Sequence, residues 1–419
     1  MQTSATQRIM TAARQVFLDK GFERASIDAI ARVARVSKQS IYTLHPSKAD
    51  LFAAVMRDAM QNPAVPQPVA ASAENRSPSQ LLTSHVQHYL QAALTAERRG
   101  LVRANIVAAR QFPELYEELR RLRLGTFAIP VEQLAPLLEA GDHSAPDAVE
   151  TSRRLASLAA EGSRYLFGYD QPTPEALQTL ARTSVLMMLE GYMACLAEGV
   201  DGCDAGSQTD LEGEFPKAKA LSLRLPQDRV AAILDAAAAE FLKYGFRQAN
   251  LDRIIGTLGV STATLHRHFV NKNGLFIRAV QHLAKLLWCE DCPAARPDAS
   301  LEEDLAQLAR WTLERHLAPE SLALQRLMIR EADRFPATAR WVYEQMLAAP
   351  EGALQERIAA HRAPPPGPFA KRAFFTLVTY GLRFVITAED LNEQHHADLA
   401  ATGVRLFLRG CAQTPPHFT

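Results

Sequence analysis

Cysteine is too scarce in this sequence to build a covalent framework. Five thiols in 419 residues are few and odd in number, which argues against a disulfide-stapled fold. Cys289 and Cys292 form one Cys-x-x-Cys, half of a zinc site with no second half in view. His282 would come near it only if the preceding helix continued. Long apolar runs are missing too. The nearest, "TSVLMMLEGYMACLAEGV", is broken by Glu190 and Glu198, so no membrane span is expected. The opening "MQTSATQRIM" lacks the charged-then-apolar layout of a secretion signal, and a cytoplasmic protein is expected. No nucleophile elbow, phosphate-binding glycine loop or complete metal constellation occurs, so neither an enzyme nor a cofactor is expected.

Net charge is also absent, with 46 basic against 46 acidic residues. Its distribution is uneven. Residues 1–60 hold nine Lys/Arg and five Asp/Glu, and residues 226–285 hold eight and four. The remainder is acidic, with 29 basic and 37 acidic residues. Two small cationic modules therefore sit on an anionic body, and local charge governs phosphate binding more than the total does.

Those two modules are copies of each other. Residues 9–56 align with 233–280 at a constant offset of 224, without a gap and with 15 identities in 48 positions. Most are apolar or turn residues, among them Ile9, Ala13, Phe17, Gly21, Phe22, Ile30, Val36, Leu51 and Phe52, so what is repeated is a fold. Each copy reads as four helices. Ile9, Ala12, Ala13, Val16 and Phe17 recur at helical spacing, as do Ile233, Ala236, Ala237 and Phe241. Gly21 and Gly245 are expected to stop that helix in a left-handed conformation. Ser26 and Asn250 suit the cap of a second helix over 27–34 and 251–258. After a tight turn, Ser37 and Ser261 cap a third, short helix, and Ser47 and Asn271 start a fourth. The run Ser47-Lys48-Ala49-Asp50 reads as a capping box with Asp in place of Glu. Two short helices across a tight turn, the second polar at its front, describe a helix-turn-helix.

Both segments resemble the DNA-binding domain of tetracycline-repressor-like (TetR-family) transcriptional regulators. The pattern carrying the resemblance is Ile30, Ala31, Ala34, Val36, Ser37, Ile41, Tyr42, Lys48 and Leu51 in the first copy. In the second it is Ile254, Gly259, Val260, Ser261, Leu265, His268, Phe269, Lys272 and Leu275. The first departs at Arg35, Gln39, Leu44 and His45, the second at Ala263 and His266. The remainder of each half also looks like the family. "ARQFPELYEEL" and "ADRFPATARWVYEQ" share a Phe-Pro step, and "EGSRYLFG" pairs with "YGLRFVIT" at an offset of 219.

The resemblance implies an all-α chain of two consecutive TetR-like units that form an intramolecular pseudo-dimer. Each unit is a helix-turn-helix domain followed by a helical effector-binding and dimerisation domain. The expected division is 1–61 and 80–198 for the first unit, a linker at 199–226, then 227–288 and 299–412 for the second. The 28 linker residues could span at most about 90 Å extended and about 30 Å as a coil. The expected function is a ligand-responsive repressor that reads one double-stranded DNA operator with two unequal helices, as a monomeric pseudo-dimer or a homodimer. A nucleoid-associated location when bound follows. The rival reading is a ligand- or protein-interaction module of the same descent in which one or both helix-turn-helix units no longer bind DNA.

By motif position, the base-reading residues are Lys38, Gln39, Ser40 and Thr43 in the first unit, with Thr262, Ala263, Thr264 and Arg267 in the second. Lys and Arg pair with guanine, Gln with adenine, and small apolar groups with thymine methyls. The expected phosphate contacts are Ser26, Tyr42 and Lys48, then Asn250, His266, His268 and Lys272, aided by the helix starts at Ser37 and Ser261. His45 stands where Phe269 reads as core, which makes an unpaired imidazole there costly. An effector pocket would draw on Arg103, Phe112, Tyr116, Phe127, Arg164, Tyr165 and Met188 in the first body, and on Trp311, Arg326, Trp341, Tyr380 and Phe384 in the second.

Overall fold

Helices account for about four fifths of the described residues. The computed structural model describes residues 4–61, 77–112, 114–115, 148–199, 226–259, 261–288, 292–381, 385 and 392–411, and no strand occurs among them. Tyr116, Phe127, Cys289, Phe384 and nearly all of the expected linker lie outside the described residues.

The first module comprises α1 (Ala5–Arg24), α2 (Ile27–Ala34), α3 (Lys38–Leu44) and α4 (Lys48–Gln61). Its start signals act as capping chemistry requires. Ser26 Oγ accepts from Ala29 N at 3.1 Å, and Ser37 Oγ accepts from Ser40 N at 3.0 Å. Ser47 Oγ accepts from Asp50 N and donates to the Asp50 carboxylate at 2.8 Å. Gly21 differs from expectation: it kinks α1 rather than ending it, at φ 70° and ψ 166°, a region essentially reserved for glycine. The helix resumes and runs to Arg24. Between α2 and α3 the chain turns through Arg35 at φ 55°, a left-handed position that costs a non-glycine residue about 1–2 kcal/mol. Helix α3 then ends at Leu44, because Pro46 disfavours helical geometry at the residue before it. His45 is extended and half-buried, and burial lowers its pKa.

The second module repeats this arrangement in α10 (Gln227–Gln248), α11 (Leu251–Leu258), α12 (Thr262–Phe269) and α13 (Lys272–Trp288). Here glycine takes the turn, Gly259 at φ 62°, and α12 runs one residue further, to a buried Phe269. The chain leaves α12 through Val270 at φ 64° and ψ −52°, with Asn271 N donating to Phe269 O at 2.6 Å. That is a γ-turn of the strained, positive-φ form.

One aromatic cluster welds each module to its body. Phe52 meets Phe17 and Phe22 edge-on at 5.2 and 5.0 Å between ring centroids, Phe17 and Phe22 lie near-parallel at 6.2 Å, and Phe112 joins at 5.0 Å from Phe22. In the second module Phe241, Phe246 and Phe276 do the same, and Phe335 enters at 4.6 Å from Phe276. Phe112 and Phe335 belong to the two Phe-Pro steps, so that repeated dipeptide docks the body on the module's core. Phe112, expected in an effector pocket, is half-buried and packs against the first module's core.

The first body contributes α5 (Pro78–Ala93), α6 (Ala96–Gln111), α7 (Ala148–Ala159), a 3-10 turn (Arg164–Leu166), α8 (Pro174–Glu190) and α9 (Tyr192–Ala197). The second contributes α14 (Leu301–Leu317), α15 (Pro319–Glu331), α16 (Pro336–Ala360), α17 (Pro368–Thr379) and α18 (Glu393–Arg409). Residue contacts divide the chain into two compact units. One holds residues 1–160, 171–185 and 385–389; the other holds 161–170, 186–384 and 390–419. Two pieces of the first sequence half thus fold with the second.

Those pieces pack reciprocally. A Cβ on Gly191 would overlap the backbone at Leu408 and Arg409, and a Cβ on Gly410 would overlap the backbone at Leu189 and Glu190. All three pairs of positions (189/408, 190/409, 191/410) are related by the offset of 219. Tyr192 stacks on Phe407 with centroids 4.7 Å apart, and at the equivalent place Cys411 N donates to Met188 O at 2.8 Å. Gly162 and its equivalent Gly381 face each other, a Cβ on the first falling 3.5 Å from Cα of the second. Contacts that exchange under one sequence offset are those of an isologous two-fold interface, here formed within one chain.

One element of this interface is not symmetric. Glu161, 2% exposed, is held between two arginines. Its Oε1 accepts from Arg372 Nε at 3.0 Å and Nη2 at 2.8 Å; its Oε2 accepts from Arg164 Nη1 at 2.7 Å and Tyr165 OH at 3.3 Å. The residue equivalent to Glu161 is Tyr380, while that equivalent to Arg372 is Arg153. The carboxylate exists once per chain.

Candidate nucleic-acid interface and ligand pocket

Helices α3 and α12 are each tied down by a minimum of apolar residues, and this leaves their fronts open. Ile41 is the buried residue of α3, whereas Lys38, Gln39, Ser40, Tyr42 and Thr43 are exposed. Leu265 and Phe269 anchor α12, with Ala263, His266 and Arg267 exposed and Thr264 and His268 half-buried. Thr262 opens α12, and its side chain lies outside the described residues. Neither helix carries an acidic residue.

Several expected contacts are already engaged. The Lys38 ammonium lies 2.5 Å from Asp28 Oδ1, in a pair exposed on both sides; the hydrogen bond to Asp28 raises the Lys38 pKa. Thr43 Oγ1 donates to Gln39 O at 2.8 Å. Ser261 Oγ accepts from Thr264 N at 3.1 Å, Asn250 Oδ1 from Asp252 N at 2.7 Å, and His266 Nδ1 sits 3.1 Å from Val270 O. Lys48 and Lys272 point inward. Lys48 Nζ donates to Ala25 O at 2.9 Å and lies 4.4 Å from the Phe22 centroid; Lys272 Nζ donates to Ala249 O at 2.6 Å and Arg247 O at 3.1 Å. Both lysines brace the turn that precedes the second helix of their module. A residue not singled out beforehand is Arg35, exposed beside Ser37. Its signal was its presence where the resembled pattern has glycine.

Of the expected effector residues, Tyr116, Phe127 and Phe384 lie outside the described residues. Arg164 and Tyr165 belong to the Glu161 network, and Met188 is buried with its carbonyl bonded to Cys411 N. Tyr380 is buried in the left-handed turn after α17. Arg103 on α6, Arg326 on α15 and Trp341 on α16 are half-buried. Of that set, Trp311 alone lines the pocket found in the second body.

That pocket, a small cavity of about 10 Å³ with room for roughly one water, is lined by Trp288, Trp311, Thr312, Arg315, His316, Met346, Pro350 and Phe375. It spans the end of α13, the middle of α14, the centre of α16 and α17. His316 is 2% exposed and stands edge-on to Phe375, with ring centroids 5.2 Å apart. Burial pushes its pKa down to about 3. In the unfolded chain it titrates near the ordinary 6.5, so between those values the unfolded state binds more protons and stability falls as pH falls. The expected slope in that window is up to about 1.4 kcal/mol per pH unit from this group. Urea titrations of the wild type and His316→Gln between pH 4 and 7 would show it, with the variant losing this slope.

Among the described residues no group of three metal-ligating side chains occurs, and no helix is long and apolar enough to cross a membrane. Cys292 is a half-buried free thiol, its pKa raised by burial, and His282 pairs with Asp235 at 2.9 Å.

Comparison with known proteins finds the repeated module twice and a body once. The profile described as bacterial regulatory proteins, tetR family, matches residues 9–55 and again 233–279. The profile of the AefR-like transcriptional repressor C-terminal domain matches residues 303–410. No curated protein matches the chain. Among solved structures, a putative TetR-family transcriptional regulator from Mesorhizobium loti is similar at 21% identity, over 44% of this chain and 96% of that one, with a TM-score of 0.37. The transcriptional regulator FadR from Bacillus subtilis, solved in complex with stearoyl-CoA, is similar at 16% identity over 43% and 95%, with a TM-score of 0.33. The flavonoid-responsive regulator FrrA is similar at 26% identity over 46% and 96%, with a TM-score of 0.32.

Proposed function

Because the chain is a tandem TetR-like regulator, with two tetR-type N-terminal domains and an AefR-like C-terminal domain after the second, we propose that one polypeptide supplies both halves of its DNA-reading dimer. Residues 1–61 and 227–288 are the two DNA-binding domains, 80–198 and 299–412 the bodies, and 199–226 the link. The observation that carries this reading is the reciprocal packing of 188–192 against 407–411. A homodimer of the family pairs two identical copies; here unlike copies occupy the two-fold positions, and each brings its own recognition helix.

Dimeric helix-turn-helix proteins read half-sites about 34 Å apart, with operator symmetry following protein symmetry. Since α3 presents Lys38, Gln39, Ser40 and Thr43 while the sequence of α12 offers Thr262, Ala263, Thr264 and Arg267, the two half-sites differ. Ser26, Ser37, Tyr42, Asn250, Ser261, His266 and His268 serve the backbone. Lys48 and Lys272 act on phosphate chiefly by fixing the turn that carries Ser26 or Asn250. Response to a small molecule would run through the second body: Trp288 ends a helix of the second DNA-binding domain, and α16 starts beside Phe335 in that domain's aromatic cluster. Binding that shifts α13 or α16 would move the module. A hundredfold preference for the DNA-incompetent arrangement corresponds to about 2.7 kcal/mol of release. The rival interaction-module reading draws on Tyr42 and Leu44, 47% and 45% exposed at the end of α3.

Selection from randomised duplexes, followed by footprinting, separates the two. The regulator reading expects an enriched site with two unlike halves; no enrichment would leave the interaction reading standing. A further outcome follows from the Lys38–Asp28 pair. Asp28→Asn frees the ammonium for DNA, so binding should tighten a few-fold and the salt slope should steepen by about 0.9, the value for one added phosphate contact. Mobility shifts at several salt concentrations measure both.

A further inference from the structure

The Glu161 network is buried, charged and present on one side of the two-fold only. All its residues lie in the second compact unit. Arg372 of the second sequence half is buried and gives two N–H groups to Glu161 Oε1, while buried Arg164 gives one to Oε2. Tyr343 OH donates to the Glu161 carbonyl at 3.5 Å, so a second residue of that half holds the same turn. Gly162, the next residue, faces its equivalent Gly381, which sets the carboxylate beside the pseudo-two-fold axis. A buried ion network is a poor source of stability, because desolvation offsets the attraction. It discriminates strongly between partners, because a wrong partner leaves a buried charge unmatched.

We propose that Glu161 and Arg372 are the pairing determinant of this chain: they let a second half pair with a first half and bar it from pairing with another second half. The inference rests on the self-paired reading above and names what enforces it. Under the offset of 219, Glu161 corresponds to Tyr380 and Arg372 to Arg153. Two second halves on the same two-fold would set Arg372 against Tyr380 twice. A phenol carries no charge at neutral pH, so two guanidiniums would be buried unmatched. Two first halves would set Glu161 against Arg153 twice, a charge-balanced arrangement that the determinant does not forbid. One prohibition suffices all the same. The halves occur in equal numbers, so each pair of first halves strands two second halves that cannot pair. A dimer of identical subunits repeats every contact across its axis and has no use for this asymmetry; a chain of unlike copies does.

The test uses the full chain with a protease site inserted in the linker, between residues 199 and 226. Once the protein has folded, the linker is cut and the halves exchange until their composition is constant. Native mass spectrometry then reads the pairs. The wild type should give first–second pairs alone. Glu161→Leu, Arg164→Met and Arg372→Met together remove the charges and keep the bulk, so the pairs should approach about 1:2:1, the distribution when affinities do not differ. Tyr380→Glu is an independent route, since it gives the second half a carboxylate of its own; second–second pairs should appear. Second–second pairs in the wild type, separation of all its halves, or first–second pairs alone in both variants would overturn the determinant. The uncut chain keeps the two readings apart. If it has the mass of two chains while the cut wild type gives unlike pairs only, the determinant stands and the self-paired reading falls. If it has the mass of one chain while both variants hold to unlike pairs, the determinant alone falls.

Discussion

Glu161→Gln is expected to destabilise the unit built around the second half by about 3–5 kcal/mol, the cost of breaking a buried ion network by removing one partner. The wild-type carboxylate accepts three bonds from two arginine side chains and one from Tyr165. An amide offers one acceptor oxygen, turns an NH₂ toward a guanidinium, and leaves Arg164 and Arg372 charged in a buried site. Urea unfolding followed by tryptophan fluorescence would report it, since Trp288, Trp311 and Trp341 all lie in that unit. Removing the whole network should cost far less. Glu161→Leu, Arg164→Met and Arg372→Met together leave no unpaired charge, and such replacements are often neutral. A triple variant as unstable as Glu161→Gln would mean that the charges themselves hold the interface.

The second large effect is on DNA. Arg267→Ala should weaken binding to the best duplex by about 1–3 kcal/mol, the range for one good bidentate contact to guanine. Preference should relax at one position of one half-site only. Arg267 is exposed on α12 and stands opposite Thr43 in the repeat, so the other half-site should be untouched. A uniform loss over every sequence, read by selection with the variant, would make Arg267 a backbone contact and refute its reading role.

Most of the architecture was legible because its signals are local. The caps at Ser26, Ser37, Ser47, Asn250 and Ser261 depend on residues three or fewer positions away, and the repeat itself marked the two modules. Gly21 and Gly245 were legible as glycines that must take positive φ, but what the chain does afterwards depends on packing, and the helix resumed. Lys48 and Lys272 looked like surface cations; only the tertiary fold reveals that the carbonyls before the second helix lie within their reach. Glu161 was the least visible residue. A glutamate between alanine and glycine at a helix end reads as solvated, and its arginine partner lies 211 positions away. Among the aromatic residues chosen for a pocket, Phe112 packs against the first module's core and Tyr165 joins the Glu161 network. Asp304, Thr312 and His316 are the polar residues on the otherwise apolar buried face of α14.

Stoichiometry on DNA bears most directly on the central claim. Native mass spectrometry of the full chain with a selected duplex should find one 46.2 kDa polypeptide per duplex, while footprinting of the same complex shows two protected major-groove segments. Two polypeptides on a duplex with two protected segments, one contributed by each chain, would contradict the self-paired regulator.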